Sequence, residues 1–270
     1  MVPEVVFYRF FQMTKHSMTI SNCAIDRIHV STTANRLDAL KGNIFIVTDG
    51  DTWKELPSEG LFQYAAIEES TGIVLMWNNY VEGGKSNLNG KLVCKVVGEY
   101  LRKLSLREQL ELLSWLSRGC SVSQLDLKFQ LNKPVWPIEG LQAVLYETGL
   151  EKWPEISYKG FENFNNCISG GKDRKTRPHS VNLTKASTKK IQLFVYDPIE
   201  KHGIANAQHW ELRLRGDYVK PVIGKLELYR KDVDKAAKFI VDRILSSVDF
   251  TYEGKTMPWY RQIKNAPLVM

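Results

Sequence analysis

Apolar and polar positions alternate with a period of two over several short stretches, and with a helical period over two longer ones. Val5 to Phe11, Ala24 to Ser31 and Asn43 to Thr48 are short and rich in β-branched and aromatic residues, the signature of strands, and Asp49-Gly50 closes the third. Leu61 to Glu68 and Gly72 to Asn78 read as a hairpin about a Glu69-Ser70-Thr71-Gly72 turn, and Lys91 to Gly98 as a further strand. Ser105 and Glu108 have capping-box spacing ahead of Leu106, Leu110, Leu113 and Leu116, which predicts a helix stopped at Gly119. Val122 to Leu131 returns to strand, with Leu125, Leu127 and Phe129 on one face and Asp126, Lys128 and Gln130 on the other. A helix is expected over Ile138 to Thr148, then a long basic loop at about 149–190 with one strand near Val181. Strands resume at Lys190 to Tyr196 and Gln208 to Arg215. Asp232 to Val248 is amphipathic, with Ala236, Phe239, Ile240 and Ile244 on one side. Together these elements predict an α+β fold, a mostly antiparallel, curved sheet flanked by a few helices, built as one domain over residues 1–270.

Composition adds a partner class. The 270 residues are 43% hydrophobic and 25% charged, ordinary for a packed domain, and carry a net charge of +7 with a pI near 9.1. That charge suits a polyanion, because each cation that meets a phosphate releases a condensed counterion. The run Lys172 to Arg177, with Arg174 and Lys175 inside it and Lys185, Lys189 and Lys190 after it, is either a solvated surface or a track for a DNA backbone. Trp53, Trp136 and Trp153 are either core residues or stacking platforms for bases. Cys23, Cys94, Cys120 and Cys167 contain no close pair, which argues against a Cys-only zinc site and for buried free thiols. With no membrane-spanning run and no secretory signal, a cytoplasmic location is expected.

Acids inside apolar strands are the first chemical anomaly: Asp26 in CAIDRIHVS, Asp126 in SVSQLDLKFQ and Glu211 in HWELRLRG. Such carboxylates are solvated, paired to cations, or gathered on a divalent ion, which prefers oxygen ligands. The second is KKIQLFVYDP, where Pro198 should end the strand and leave Tyr196 at its tip. A free tyrosine ionises near pH 10, so a phenolate nucleophile at pH 7 starts about 4 kcal/mol uphill. A metal ion that polarises the attacked phosphate offsets this, and so do neighbouring cations such as Lys189, Lys190, Lys201 and His202. His16, His29, His179, His202 and His209 form no His-x-His pair, and neither a Gly-rich phosphate loop nor a serine-hydrolase elbow occurs.

The order of these features resembles the replication initiation factor family, the initiators of rolling-circle plasmids and their relatives in filamentous phages and conjugative elements. AIDRIHVS looks like its first Asp-bearing strand, and VSQLDLKFQ like its strand of the form Thr-Arg-Leu-Asp-Leu-Ala-x-Asp. STKKIQLFVYDP is similar to its tyrosine segment, HWELRLRG to the strand that follows, and VDFTYEGKTMPWYRQI to its aromatic ending. The resemblance implies a DNA-nicking initiator in which Tyr196 becomes linked to the 5′ phosphate at a single-stranded or cruciform origin. Asp126 would then be a metal ligand, Asp26 and Glu211 further acidic candidates, and Mg²⁺ or Mn²⁺ the cofactor. A host helicase or polymerase and a second copy of the chain are further partners compatible with it. The sequence departs from the pattern at Gln130 (for Asp), at Pro198 (near the usual Lys) and at Leu193 and Val195 (for cations). Those departures support an alternative, a catalytically silent, sequence-specific DNA-binding protein that regulates replication.

Overall fold

The computed structural model describes residues 18–45, 53–58, 60–133, 156–158, 163–164, 180–184, 190–196, 207–252, 255–256 and 258–269, together with residues 198 and 204. Its strands are β1 (Ile20–Thr33), β2 (Trp53–Leu56), β3 (Tyr64–Glu68), β4 (Ile73–Trp77), β5 (Lys91–Val96), β6 (Ser121–Leu131), β7 (Ile156–Tyr158), β8 (Asn163–Phe164), β9 (Ser180–Thr184), β10 (Ile191–Tyr196), β11 (Gln208–Arg215), β12 (Phe250–Tyr252) and β13 (Lys255–Thr256). Its helices are α1 (Leu37–Phe45), α2 (Gly98–Leu101), α3 (Leu106–Ser117), α4 (Lys220–Tyr229), α5 (Val233–Leu245) and α6 (Pro258–Lys264). The fold is α+β, and its strand ladders are antiparallel. Contacts divide the chain into two compact units. One holds Ala24–Asp126 and Leu214–Ala236; the other holds Met1–Cys23, Leu127–Arg213 and Ala237–Met270. They are called here the Asp126 unit and the Tyr196 unit; β1 and β6 contribute residues to both.

In the Asp126 unit the strand order is β2-β3-β4-β5-β1, with the first part of β6 next to β1. Local chemistry explains its turns. The β3–β4 hairpin closes on Glu68, whose buried carboxylate accepts from the Ser70 N–H (3.2 Å), the Ser70 hydroxyl (2.8 Å) and the Thr71 N–H (2.8 Å). Gly72 then takes φ +70°, where a side chain would be strained. The capping box of α3 is formed: Ser105 accepts from the Glu108 N–H, and the Glu108 carboxylate reaches back to the Ser105 N–H. That face of α3 buries Leu106, Leu110, Leu113 and Leu116. β1 is irregular. Its buried residues step by three from Ile20 to Cys23 and again from Ile25 to Ile28, a bulged pattern that leaves Asp26 and Arg27 consecutively half-buried. The buried Gln109 answers this irregular backbone. Its Oε1 accepts from the Ile25 N–H (2.7 Å), while its Nε2 donates to the carbonyls of Leu101 (2.7 Å) and Leu104 (3.2 Å).

In the Tyr196 unit the order is β6-β11-β10-β9-β8, with a second sheet of order β13-β12-β7. β6 and β11 turn Phe129, Leu131, Trp210 and Leu212 into a core that Tyr260 and Trp259 of α6 complete. Trp210 stacks between Phe129 (6.0 Å between centroids) and Tyr260 (6.2 Å), and Phe250 packs on Trp259 at 4.8 Å. The Tyr260 hydroxyl donates to main-chain carbonyls of Leu245 and Val248, so the buried phenol is satisfied. The tail closes on the start of β1: the Ile20 N–H donates to the Pro267 carbonyl (2.9 Å) and the Val269 N–H to the Ile20 carbonyl (2.8 Å).

Two expectations are corrected. Asn43 to Phe45 belong to α1 and are not strand, because a short apolar run such as Ile44 to Val47 has no period that separates a strand from a buried helix; residues 46–48 lie outside the described residues. The basic stretch before Tyr196 is not one loop with a single strand: β7 and β8 precede β9, and β9 pairs with β10 in the register Tyr196↔Ser180. Helices α1, α2, α4 and α6 add to those expected. The strand expected at Val5 to Phe11 and the helix at Ile138 to Thr148 lie outside the described residues, as do Trp136, Trp153 and Cys167. Cys23, Cys94 and Cys120 are free thiols, the first two buried. Among the described residues no helix is long and apolar enough to cross a membrane.

Candidate active site around Tyr196

β10 stops at Tyr196, two residues before Pro198, whose missing N–H cannot extend a ladder. Alternation sends Ile191, Leu193 and Val195 into the core. Gln192, Phe194 and Tyr196 share the opposite face and are half-buried. The Tyr196 hydroxyl lies 3.3 Å from Nδ1 of His209 on β11, and the two rings meet edge to face at 5.2 Å. His209 is only 5% exposed. Its Nε2 lies 3.0 Å from Oε1 of Gln130 on β6, which also accepts from Asn22 Nδ2 at 3.2 Å; Gln130 Nε2 donates onward to Asn132 Oδ1 at 3.4 Å.

That connectivity sets the imidazole tautomer. Gln130 Oε1 can only accept, so Nε2 of His209 carries the proton. In the neutral ring with that tautomer Nδ1 is an acceptor, within 3.3 Å of the Tyr196 hydroxyl as its donor. A hydroxyl hydrogen-bonded to an oriented imidazole is the arrangement that an activated nucleophile requires. Neither Gln130 nor His209 stood out as a site residue from sequence. The available signal was the step of two that carries Gln124, Asp126, Lys128 and Gln130 along β6, and His209, Glu211, Arg213 and Arg215 along β11.

Glu211 sits on the same face of β11 as His209. Its Oε1 meets Arg213 Nη2 at 3.3 Å, and that guanidinium lies 4.7 Å over the Phe194 ring. Glu211 and Tyr196 are thus brought onto neighbouring strands of one unit. Asp126 and Asp26 belong to the other. Asp126, with no exposed surface, accepts from Gln124 Nε2 at 3.0 Å and meets Arg27 Nε at 3.8 Å, while Gln124 Oε1 accepts from Arg215 Nε at 3.0 Å. Asp26 meets Arg102 at 3.9 Å and packs on the backbone of Gly98, where a Cβ would come 2.8 Å from the Asp26 carbonyl oxygen. Each expected metal ligand therefore faces an arginine. Among the described residues no three His, Cys, Asp or Glu side chains gather to hold an ion. Of the expected DNA-binding cations, Lys190 is exposed just ahead of β10; Lys172, Arg174, Lys175, Arg177 and Lys189 lie outside the described residues.

The fold is similar to that of a rolling circle replication initiator protein from Geobacillus stearothermophilus, with a TM-score of 0.58 and 15% sequence identity over 94% of this chain and 93% of that one. At that identity the likeness is one of fold. No family model matches the sequence, and no curated protein does.

Proposed function

We propose that the chain initiates plasmid or phage replication by cutting one DNA strand at an origin with Tyr196. The observation that carries this reading is the chain Tyr196–His209–Gln130, a phenol at a strand tip hydrogen-bonded to a buried, oriented imidazole. The initiator-like fold supports it. In the reaction the Tyr196 oxygen attacks phosphorus as its proton passes to Nδ1 of His209. The bond between phosphorus and the 3′ oxygen breaks, and that oxygen leaves as a hydroxyl after taking a proton. The 5′ phosphate stays on Tyr196, so the energy of the broken bond is kept for rejoining.

Mg²⁺ or Mn²⁺ belongs to this proposal, with Asp126, Asp26 and Glu211 as candidate ligands. When bound, such an ion stabilises charge on the phosphate. Each carboxylate would first have to release its arginine. Lys172, Arg174, Lys175, Arg177, Lys189 and Lys190 are proposed to follow the DNA backbone.

The test incubates the protein with labelled single-stranded or supercoiled origin DNA, with Mg²⁺, with Mn²⁺ and with EDTA. The expected product is a nick with an SDS-resistant adduct that Tyr196→Phe abolishes while DNA binding persists. Binding without any cut would favour the silent DNA-binding regulator. An adduct unchanged in Tyr196→Phe would remove the nucleophile assignment.

A further inference from the structure

The Asp126 unit contains a cationic cleft that the tyrosine chemistry does not use. It is a cavity of about 250 Å³ between the start of α1 and the end of α3, lined by Arg36, Leu40, Trp115, Arg118 and Cys120 among others. Two guanidinium groups and an indole share it, and no acidic residue is among its lining. Arg36 is held in place by a hydrogen bond to the carbonyl of Gly119, and Arg118 donates to the Ser114 hydroxyl at 3.4 Å. Neither arginine has a carboxylate partner among the described residues, whereas Arg27, Arg102, Arg213 and Arg230 each have one. Gly119, at φ +83°, leaves the room for Arg36: a Cβ there would collide with its guanidinium.

Both arginines are exposed to incoming ligand, and a guanidinium fork matches the oxygens of a phosphate. The half-buried Trp115 adds a flat apolar surface on which a base can stack. The cavity suits one phosphate with part of its nucleoside. We propose that Arg36, Arg118 and Trp115 form a nucleotide-binding site, with the phosphate on the two guanidinium groups and the base on the indole. The assignment is independent of Tyr196, so either can fail without the other. The phosphate ester belongs either to a free mononucleotide or to one residue of a single strand.

Cys120 lies on the cavity wall and serves as the reporter. Burial pushes the Cys23 and Cys94 thiols up to about 12, which keeps them unreactive. The full chain is treated with iodoacetamide alone and with dTMP, short oligothymidine or inorganic phosphate, and alkylation of the Cys120 peptide is followed by mass spectrometry. Saturating dTMP or oligothymidine should slow alkylation about tenfold, and Arg36→Gln or Arg118→Gln should raise the concentration needed by about tenfold. Trp115→Leu should weaken protection by dTMP and leave phosphate unaffected. Circular dichroism checks that each variant is folded. Oligothymidine protecting at far lower concentration than dTMP identifies a strand as the source; equal protection identifies the free nucleotide. Protection that survives both arginine substitutions, phosphate protecting as well as dTMP, or no protection by either nucleotide ligand would overturn the site.

Discussion

In the Tyr196 unit a buried imidazole is joined on both sides by neutral partners, a phenol and a carboxamide. In the Asp126 unit the buried carboxylate of Asp126 meets an arginine and a glutamine, and that glutamine meets a second arginine. Both arrangements satisfy polar groups on the non-core face of a sheet, yet their chemical potential differs. A phenol hydrogen-bonded to an imidazole has an acceptor already in place for the proton that an attack by its oxygen would release. An ion-paired carboxylate has its charge already answered, and disturbing it costs stability first. On the proposed function the contrast gives His209 the role of proton acceptor and leaves Asp126 as an ion-paired ligand candidate, and only the acid was conspicuous in the sequence.

The largest effect expected is on the core beneath the site. Trp210→Ala should lower stability by about 3–5 kcal/mol in urea unfolding, since it removes the ring between Phe129 and Tyr260. A loss below about 1 kcal/mol would mean that the aromatic stack is not what supports β11. His209→Gln should slow adduct formation by about a hundredfold to ten-thousandfold, the usual range for a positioned base, with the urea midpoint near wild type. Equal loss of stability and rate would erase the contrast between the units. Asp126→Asn should cost about 1–3 kcal/mol by removing the counter-charge of Arg27, and, Asp126 being a candidate metal ligand, should also raise the Mg²⁺ or Mn²⁺ concentration needed for cutting. Unchanged stability would show that the Arg27 pair is not structural, and an unchanged metal requirement would remove Asp126 from the proposed ligands.

The smallest effect is at the α3 cap. The Ser105 hydroxyl and N–H hold the Glu108 carboxyl below its ordinary range. A depressed carboxyl contributes stability above its unfolded value of about 4.3 and loses it as pH falls through the folded value. Ser105→Ala should therefore lower the thermal midpoint at neutral pH, and its gap to wild type should narrow on acidification below that range. A gap that widens in acid would show that the cap works by another route.

Local codes were readable from the chain alone: the Ser105–Glu108 cap, the hairpin closed at Gly72, and the alternation of β6, β10 and β11. What could not be read was whatever depends on partners far along the chain. His209 meets Gln130 across 79 positions, and Gln109 meets Ile25 across 84. The alternation of β6 separated its two faces correctly. It did not reveal that both are buried, which makes Lys128 and Gln130 parts of a covered polar layer. Ile44 to Val47 had no period to distinguish helix from strand, and helix was realised where that run is described.

The tail of the molecule carries a practical lesson. Because Pro267 and Val269 clasp Ile20, and Trp259 and Tyr260 sit inside the aromatic core, residues 258–269 behave as a keystone. Proteolytic trimming there should unseat β1 at its origin and loosen the very strands that present Tyr196 and His209.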